Sequence, residues 1–192
     1  MIDFTDEVVI VTGAGRGLGR LYALDCARRG AAIVVNDVGT SVLGDGRDSQ
    51  VADDVVAEIE EAGGTAVASY DSVADAQGAA AIVATALEHF GRLDAVISNA
   101  GIFQPVDFEN LTAEDWGRML TVHLDGGFHL GQVAYREIKR RARDRAEGRG
   151  VVEKCHIRYC AAAGYGRIRR NTKACRSSED SSALWAGDIY GE

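Results

Sequence analysis

No run in this 192-residue chain approaches the roughly 20 consecutive apolar residues that a membrane-spanning helix needs. No membrane partner is therefore expected. Met1 to Glu7 are acidic and lack the basic and apolar regions of a signal peptide, so the expected location is cytoplasmic. Cysteine is sparse and poorly spaced: Cys26 stands alone, and Cys155, Cys160 and Cys175 come much later. A zinc site wants close ligand pairs, with Cys-x2–4-Cys spacing and a second pair further on. Cys155-His156 and Cys160 do not supply that, so no metal is expected and the thiols read as free. Basic charge is also scarce where it would matter for an acidic partner. Residues 1–135 hold 7 Lys/Arg against 21 Asp/Glu, whereas residues 136–180 hold 14 basic and 6 acidic residues, in a chain of net charge -8. The basic run from Lys139 to Arg145 has no interleaved aromatics and sits in an otherwise acidic chain. It reads as a solvated helix extension, and no nucleic acid partner is expected.

Against these absences stand glycine, 23 residues of it, and an ordinary α/β composition of 46% hydrophobic and 26% charged residues. The apolar run Val8-Val9-Ile10-Val11 suits a strand buried on both faces of a parallel sheet. Thr12-Gly13-Ala14-Gly15-Arg16-Gly17-Leu18-Gly19 then turns into a helical pattern. Glycines let the backbone turn tightly and approach a ligand, and the helix that follows aims its free N–H groups at the turn. Pyrophosphate is the anion that such a turn suits.

Ala31 to Asp37 reads as a second strand, ending in an acid about twenty residues past the glycine turn, where a carboxylate can hold the ribose of NAD and repel a 2′-phosphate. Thr65 to Tyr70 reads as a third strand and Leu93 to Ile97 as a fourth, with amphipathic helices between. Asp71, just past the third strand, can bond an adenine amino group or cap the next helix; both readings stand. Thr112 to Asp115 opens another helix, whose apolar face Trp116, Met119, Leu120, His123, Leu124 and Leu130 carry to about Tyr135. The alternation of strand and helix predicts an α/β fold: a Rossmann-type doubly wound parallel sheet, with ligands outside the carboxyl ends of its strands.

These residues resemble the short-chain dehydrogenase/reductase family over about 5–139. Thr12 to Gly19 fits its Thr-Gly-x3-Gly-x-Gly motif, and Ser98-Asn99-Ala100-Gly101 fits its Asn-Asn-Ala-Gly motif. Asn36-Asp37-Val38-Gly39, Tyr70-Asp71-Ser72-Val73 and Glu114-Asp115-Trp116 with Val122-His123-Leu124 are similar to one branch, the 3-hydroxyacyl-CoA dehydrogenase domain of multifunctional β-oxidation enzymes. The resemblance implies hydride transfer between NAD and a secondary alcohol or ketone such as a 3-hydroxyacyl thioester, so the implied partner is a small molecule, an acyl-CoA among them. It also implies that Thr12, Gly13, Gly15, Arg16, Gly17, Leu18 and Gly19 form the phosphate turn and that Asp37 holds the ribose. Asp71 and Ser72 would meet adenine, and Asn99, Ala100 and Gly101 the nicotinamide side. His123 falls where many members carry an Asn of a proton relay, and it reads equally as a histidine of the helix core.

The family's chemistry also needs a Ser and a Tyr-x3-Lys, the Lys lowering the Tyr pKa toward working pH. Tyr135-Arg136-Glu137-Ile138-Lys139 comes too early and has no Ser before it at the right distance. Residues 164–168 resemble the approach to a fifth strand, but Arg169, Arg170 and Lys173 follow, and a buried strand does not hold such cations unpaired. Ser181 to Gly187 resembles the catalytic-serine loop, with Ser182 as the candidate serine. The expected organisation is an NAD-binding unit at 1–139, an aberrant basic segment at 140–180 and a remnant of the serine loop at 181–192. On this reading the sheet is truncated on its C-terminal side and the chain stops short of the catalytic Tyr and Lys. A catalytically inactive NAD-binding fragment is the alternative. Family members assemble as dimers or tetramers through helix 112–135 and its successor, so poor assembly is expected here.

Overall fold

In the computed structural model, residues 3–148 are described, with side chains through Arg141. Four strands, β1 (Val8–Thr12), β2 (Ala32–Asn36), β3 (Thr65–Ser69) and β4 (Ala95–Ile97), alternate with α1 (Gly17–Arg28), α2 (Gln50–Glu61) and α3 (Ala76–Phe90). All strand pairs are parallel, in the order β3-β2-β1-β4, with Val8 opposite Ala32 and Val9 opposite Ala95. This is the doubly wound α/β arrangement that the alternation predicts.

Side chains alternate across a strand, so β1 feeds two cores. Val8 and Ile10 pack with Val34 against α3, through Ala79, Ile82, Val83 and Ala86, and against Leu130, Ala134 and Ile138. Val9 and Val11 pack with Ile33 and Val35 against Ala23 and Cys26 of α1 and Ala52, Val55 and Ile59 of α2. Every β1 residue is buried, which is why this strand is apolar at consecutive rather than alternate positions. Burial pushes the Cys26 thiol up from its ordinary pKa, leaving it a neutral core group.

Two helices differ from the expected pattern. The spacing of Leu18, Leu21, Tyr22, Leu24 and Cys26 points to a leucine-faced α1, yet Leu18 and Leu21 are more than half exposed and Tyr22 is 38% exposed. The buried residues are Gly19, Ala23 and Cys26. Small residues let the helix axis come close to the glycine turn, and Leu18, Leu21 and Tyr22 are left on the outer side, with Leu24 partly buried against the core.

The helix expected over 112–135 is three pieces: α4 (Ala113–Leu120), a π-turn at Thr121–Asp125, and α5 (Gly126–Gly148). The wide turn rotates the helix face, so Trp116 and Leu124 are exposed and Leu130 is buried. It also seats Gly126 against Val73, where a Cβ would lie 2.8 Å from the Val73 methyl. The α5 helix passes Tyr135 because Arg, Ala, Lys and Glu are good helix formers, and Arg140 reaches back to Glu137 at 2.6 Å.

At the amino ends of the strands, Asp94 accepts from the Val8 N–H at 2.9 Å, and pairs with Arg92 at 2.7 Å and with Arg141 of α5 at 3.2 Å. Burial pushes its pKa up; the Arg92 and Val8 hydrogen bonds and the Arg141 charge outweigh that and hold it below the ordinary carboxylate range. This clamp leaves the carboxyl ends of the strands as the open side of the sheet.

Candidate functional site

A cleft of about 570 Å³ lies at those carboxyl ends, within the range of small-molecule sites. Its floor is the glycine turn. Thr12, fully buried, accepts through Oγ1 from the N–H groups of Asn99 (3.0 Å) and Ala100 (3.1 Å). In return, Asn99 Nδ2 donates to the carbonyls of Thr12 (3.1 Å) and Gly13 (3.2 Å). The turn after β1 and the loop after β4 are thus held as one piece. Gly13 and Gly17 have φ of +62° and +53°, the left-handed region that glycine enters without strain. Gly19 packs on the turn so closely that a Cβ there would lie 2.0 Å from the Gly13 carbonyl oxygen.

The N-terminus of α1 faces this floor. Arg16 is its N-cap, no side chain caps it, and its first turn carries no acid. By contrast, α3 is capped by Asp75, which accepts from Gly78 N, and α4 by a Thr112/Asp115 capping box. The free N–H groups and positive dipole end of α1 are therefore available to an anion.

Asp37 stands one residue past β2. Its Oδ2 accepts from Gly15 N at 2.8 Å and its Oδ1 from Gly39 N at 2.7 Å. The carboxylate thus shapes the turn it would share with a ligand, and each oxygen keeps lone-pair capacity for a further donor. Gly13, Arg16, Gly17, Asp37, Ser72, Asn99, Ala100 and Gly101 all line the cleft. Gly15 packs against Asp37 and Val51, and Leu18 is exposed and does not line the cleft.

Asp71 is exposed and lies one residue outside the cleft wall that Ser72, Val73 and Ala74 form. Its reading as a helix cap fails, because α3 is capped by Asp75. His123 is exposed rather than a core histidine. The π-turn brings its Nε2 to the Ile102 carbonyl (2.8 Å) and N–H (3.2 Å), and Gly101 leaves the ring just enough room.

One wall has no counterpart in the motifs. The loop after β2 crosses toward α4. Arg16 donates to the Thr40 carbonyl (3.0 Å), Phe103 N to Val42 O (2.8 Å), and Arg118 to Leu43 O (3.2 Å) and Asp45 (3.0 Å). Arg118 lines the cleft from residues 73 and 75 positions away in sequence, a pairing that no local pattern signals.

Tyr135 and Lys139 do not join the site. Lys139 Nζ lies over the Tyr135 ring, 5.7 Å from its centroid, on α5 and outside the cleft wall. Ser182 and residues 149–192 lie outside the described residues.

A family model described as short chain dehydrogenase matches residues 7–152. A short-chain type dehydrogenase/reductase of Mycobacterium tuberculosis is 50% identical over 147 residues, covering 77% of this chain and 50% of the relative. The peroxisomal multifunctional enzyme type 2 of Mus musculus is 48% identical over 137 residues, covering 71% of this chain and 18% of that enzyme. Among solved structures, a 7α-hydroxysteroid dehydrogenase complexed with NADH and 7-oxo glycochenodeoxycholic acid superposes with a TM-score of 0.65 at 28% identity, covering 73% of this chain and 51% of the other. The chain thus spans about half the length of two of these proteins and 18% of the third. On the family match, the sheet order and the glycine-turn cleft together, the chain belongs to the short chain dehydrogenase family.

Proposed function

We propose that this chain binds NAD and belongs to an oxidoreductase that transfers hydride between NAD and a secondary alcohol or ketone. The observation that carries the reading is the uncapped α1 N-terminus beside the Asp37 carboxylate, which itself bonds the glycine turn. The residues fit the cofactor chemically. Gly13 and Gly17 bring bare backbone to a pyrophosphate, and Arg16 adds a cation to the same rim. Asp37 offers a carboxylate to ribose hydroxyls and repels a 2′-phosphate, which favours NAD over NADP. Asp71 and Ser72 border the adenine side, and Asn99, Ala100 and Gly101 the nicotinamide side. When bound, the nicotinamide supplies or accepts the hydride.

The substrate class we favour is a 3-hydroxyacyl thioester, because motif resemblance and the multifunctional-enzyme relative point to one branch. Ser182 is the proposed serine that would hold the substrate oxygen, within a loop at 181–192 that follows a cofactor unit at 1–139. A second reading, an NAD-binding chain without turnover, is favoured by one observation: among the described residues, no Tyr or Lys lines the cleft.

Titration of the purified chain with NADH and NADPH, followed by fluorescence, tests the cofactor assignment. Tighter NADH binding is expected, and equal or tighter NADPH binding refutes the role of Asp37. Oxidation of a 3-hydroxyacyl thioester then separates the two readings, since binding without turnover selects the second.

A further inference from the structure

Asn36 is 1% exposed, and it is the last residue of β2, paired with Ser69 at the last rung of the β2–β3 ladder. Its backbone carbonyl accepts from Ala14 N in the glycine turn at 3.0 Å. Its side-chain amide turns the other way: Nδ2 donates to the carbonyl of Asp71 at 2.9 Å, and lies 3.2 and 3.3 Å from the Ser69 carbonyl and hydroxyl. One residue therefore bonds two segments that meet at the cleft, the glycine turn and the exit of β3.

The Asp71 bond is the informative one. The parallel ladder ends at Asn36 and Ser69, and backbone pairing cannot reach Asp71. A primary amide on a one-carbon stem supplies an N–H where the next peptide group would have placed one, and so extends the ladder by one bond. Asp has no donor to offer there, Leu offers none, and Ser is too short to reach. A buried amide without partners would cost more than it returns, so the site suits Asn because its donors are satisfied.

We infer that Asn36 is a positioning residue, whose side-chain amide holds the Asp71–Ser72 segment in register with the glycine turn and so sets how the cleft discriminates the base of its nucleotide. The consequence for base selection rests on the proposed NAD site; the positioning itself does not. Asn36 also lines the cleft itself, but its amide nitrogen is taken by Asp71 and Ser69, so it acts on the base through the Asp71–Ser72 segment.

The test compares Asn36→Ser with Ser69→Ala, which keeps the Asp71 bond and removes only the weaker hydroxyl contact. In the protein without ligand, amide hydrogen exchange across residues 71–74 should rise roughly 3- to 10-fold in Asn36→Ser, the equilibrium equivalent of one hydrogen bond, with Ser69→Ala near wild type. Exchange that is unchanged, or raised equally in β1 and β2, overturns the inference whatever the ligand does. The second arm measures binding of NADH against its hypoxanthine analogue. The wild type should prefer NADH, and Asn36→Ser should lose most of that preference while Ser69→Ala keeps it. A wild type that discriminates alongside an Asn36→Ser variant that discriminates equally overturns the base-selection claim. A wild type that binds neither nucleotide overturns the NAD site and, with it, that claim, and leaves the exchange experiment to decide the positioning.

Discussion

Replacing Gly19 by alanine is the sharpest way to probe how α1 meets the glycine turn. The added Cβ would lie 2.0 Å from the Gly13 oxygen and 2.6 Å from Asn99 Nδ2, against an ordinary contact of 3.4 Å or more. Helix and turn must separate by more than 1 Å, and neither neighbour is a flexible side-chain tip: one is backbone, and the other is held by two hydrogen bonds. Overpacking of this kind costs about 1–3 kcal/mol, and we expect the upper end. Alanine's better helix propensity returns about 1 kcal/mol, leaving a net loss of about 2 kcal/mol. For a domain of this size that is a fall of about 4–8 °C in unfolding temperature. The same change at Gly117, in α4, meets nothing within 4 Å and should raise stability by up to about 1 kcal/mol. Thermal unfolding by circular dichroism gives both shifts, and NADH titration should show binding weakened in Gly19→Ala only. Two variants that shift together, or a Gly19→Ala protein as stable as wild type with unchanged NADH affinity, would refute the close-approach argument.

The Asp94 clamp makes a pH prediction. Its pKa is held below that of the unfolded chain, so its contribution is present above the ordinary carboxylate range and is lost as pH falls through the folded value. The urea midpoint of the wild type should drop between about pH 5 and about pH 3, and Asp94→Asn, already weaker at neutral pH, should drop less; parallel curves would exclude Asp94 as the source. Arg118→Ala should cost about 1 kcal/mol or less in stability, because the Asp45 pair is exposed. It should still weaken NADH binding and speed proteolytic cleavage of the loop near Leu43, and unchanged cleavage would count against the wall. Tyr135→Phe keeps the ring beneath Lys139 and should alter neither NADH affinity nor unfolding temperature, whereas a loss of binding would bring α5 into the site.

Much of the cleft was legible because its parts are local. The glycine turn needs particular backbone conformations at Gly13 and Gly17, and such positions tolerate few residues, so the motif spells them out. Asp37 stands directly after a strand, and strand ends can be read from where an apolar run stops. Asp71 was harder: an acid past a strand has two local explanations, and only the Asp75 bond to Gly78 excluded the capping one. His123 reads in the sequence as either relay or core residue, because the π-turn that brings it to Ile102 carries no local signature.

The order of strands and helices, the parallel sheet and the glycine turn are determined by the sequence itself, since each follows from periodicity or backbone restriction within a few residues. The tertiary structure decided what depends on distance. Gly19, Ala23 and Cys26 are the buried residues of α1, with Leu24 partly buried beside them and Leu18 and Leu21 exposed, because close approach of helix to turn outweighs side-chain size. Arg118 and the Thr40–Asp45 loop become a cleft wall, and Asn36 reaches Asp71, through bonds between residues 73, 75 and 35 positions apart. A local pattern records what a residue prefers, whereas these contacts exist only once the chain has folded back on itself.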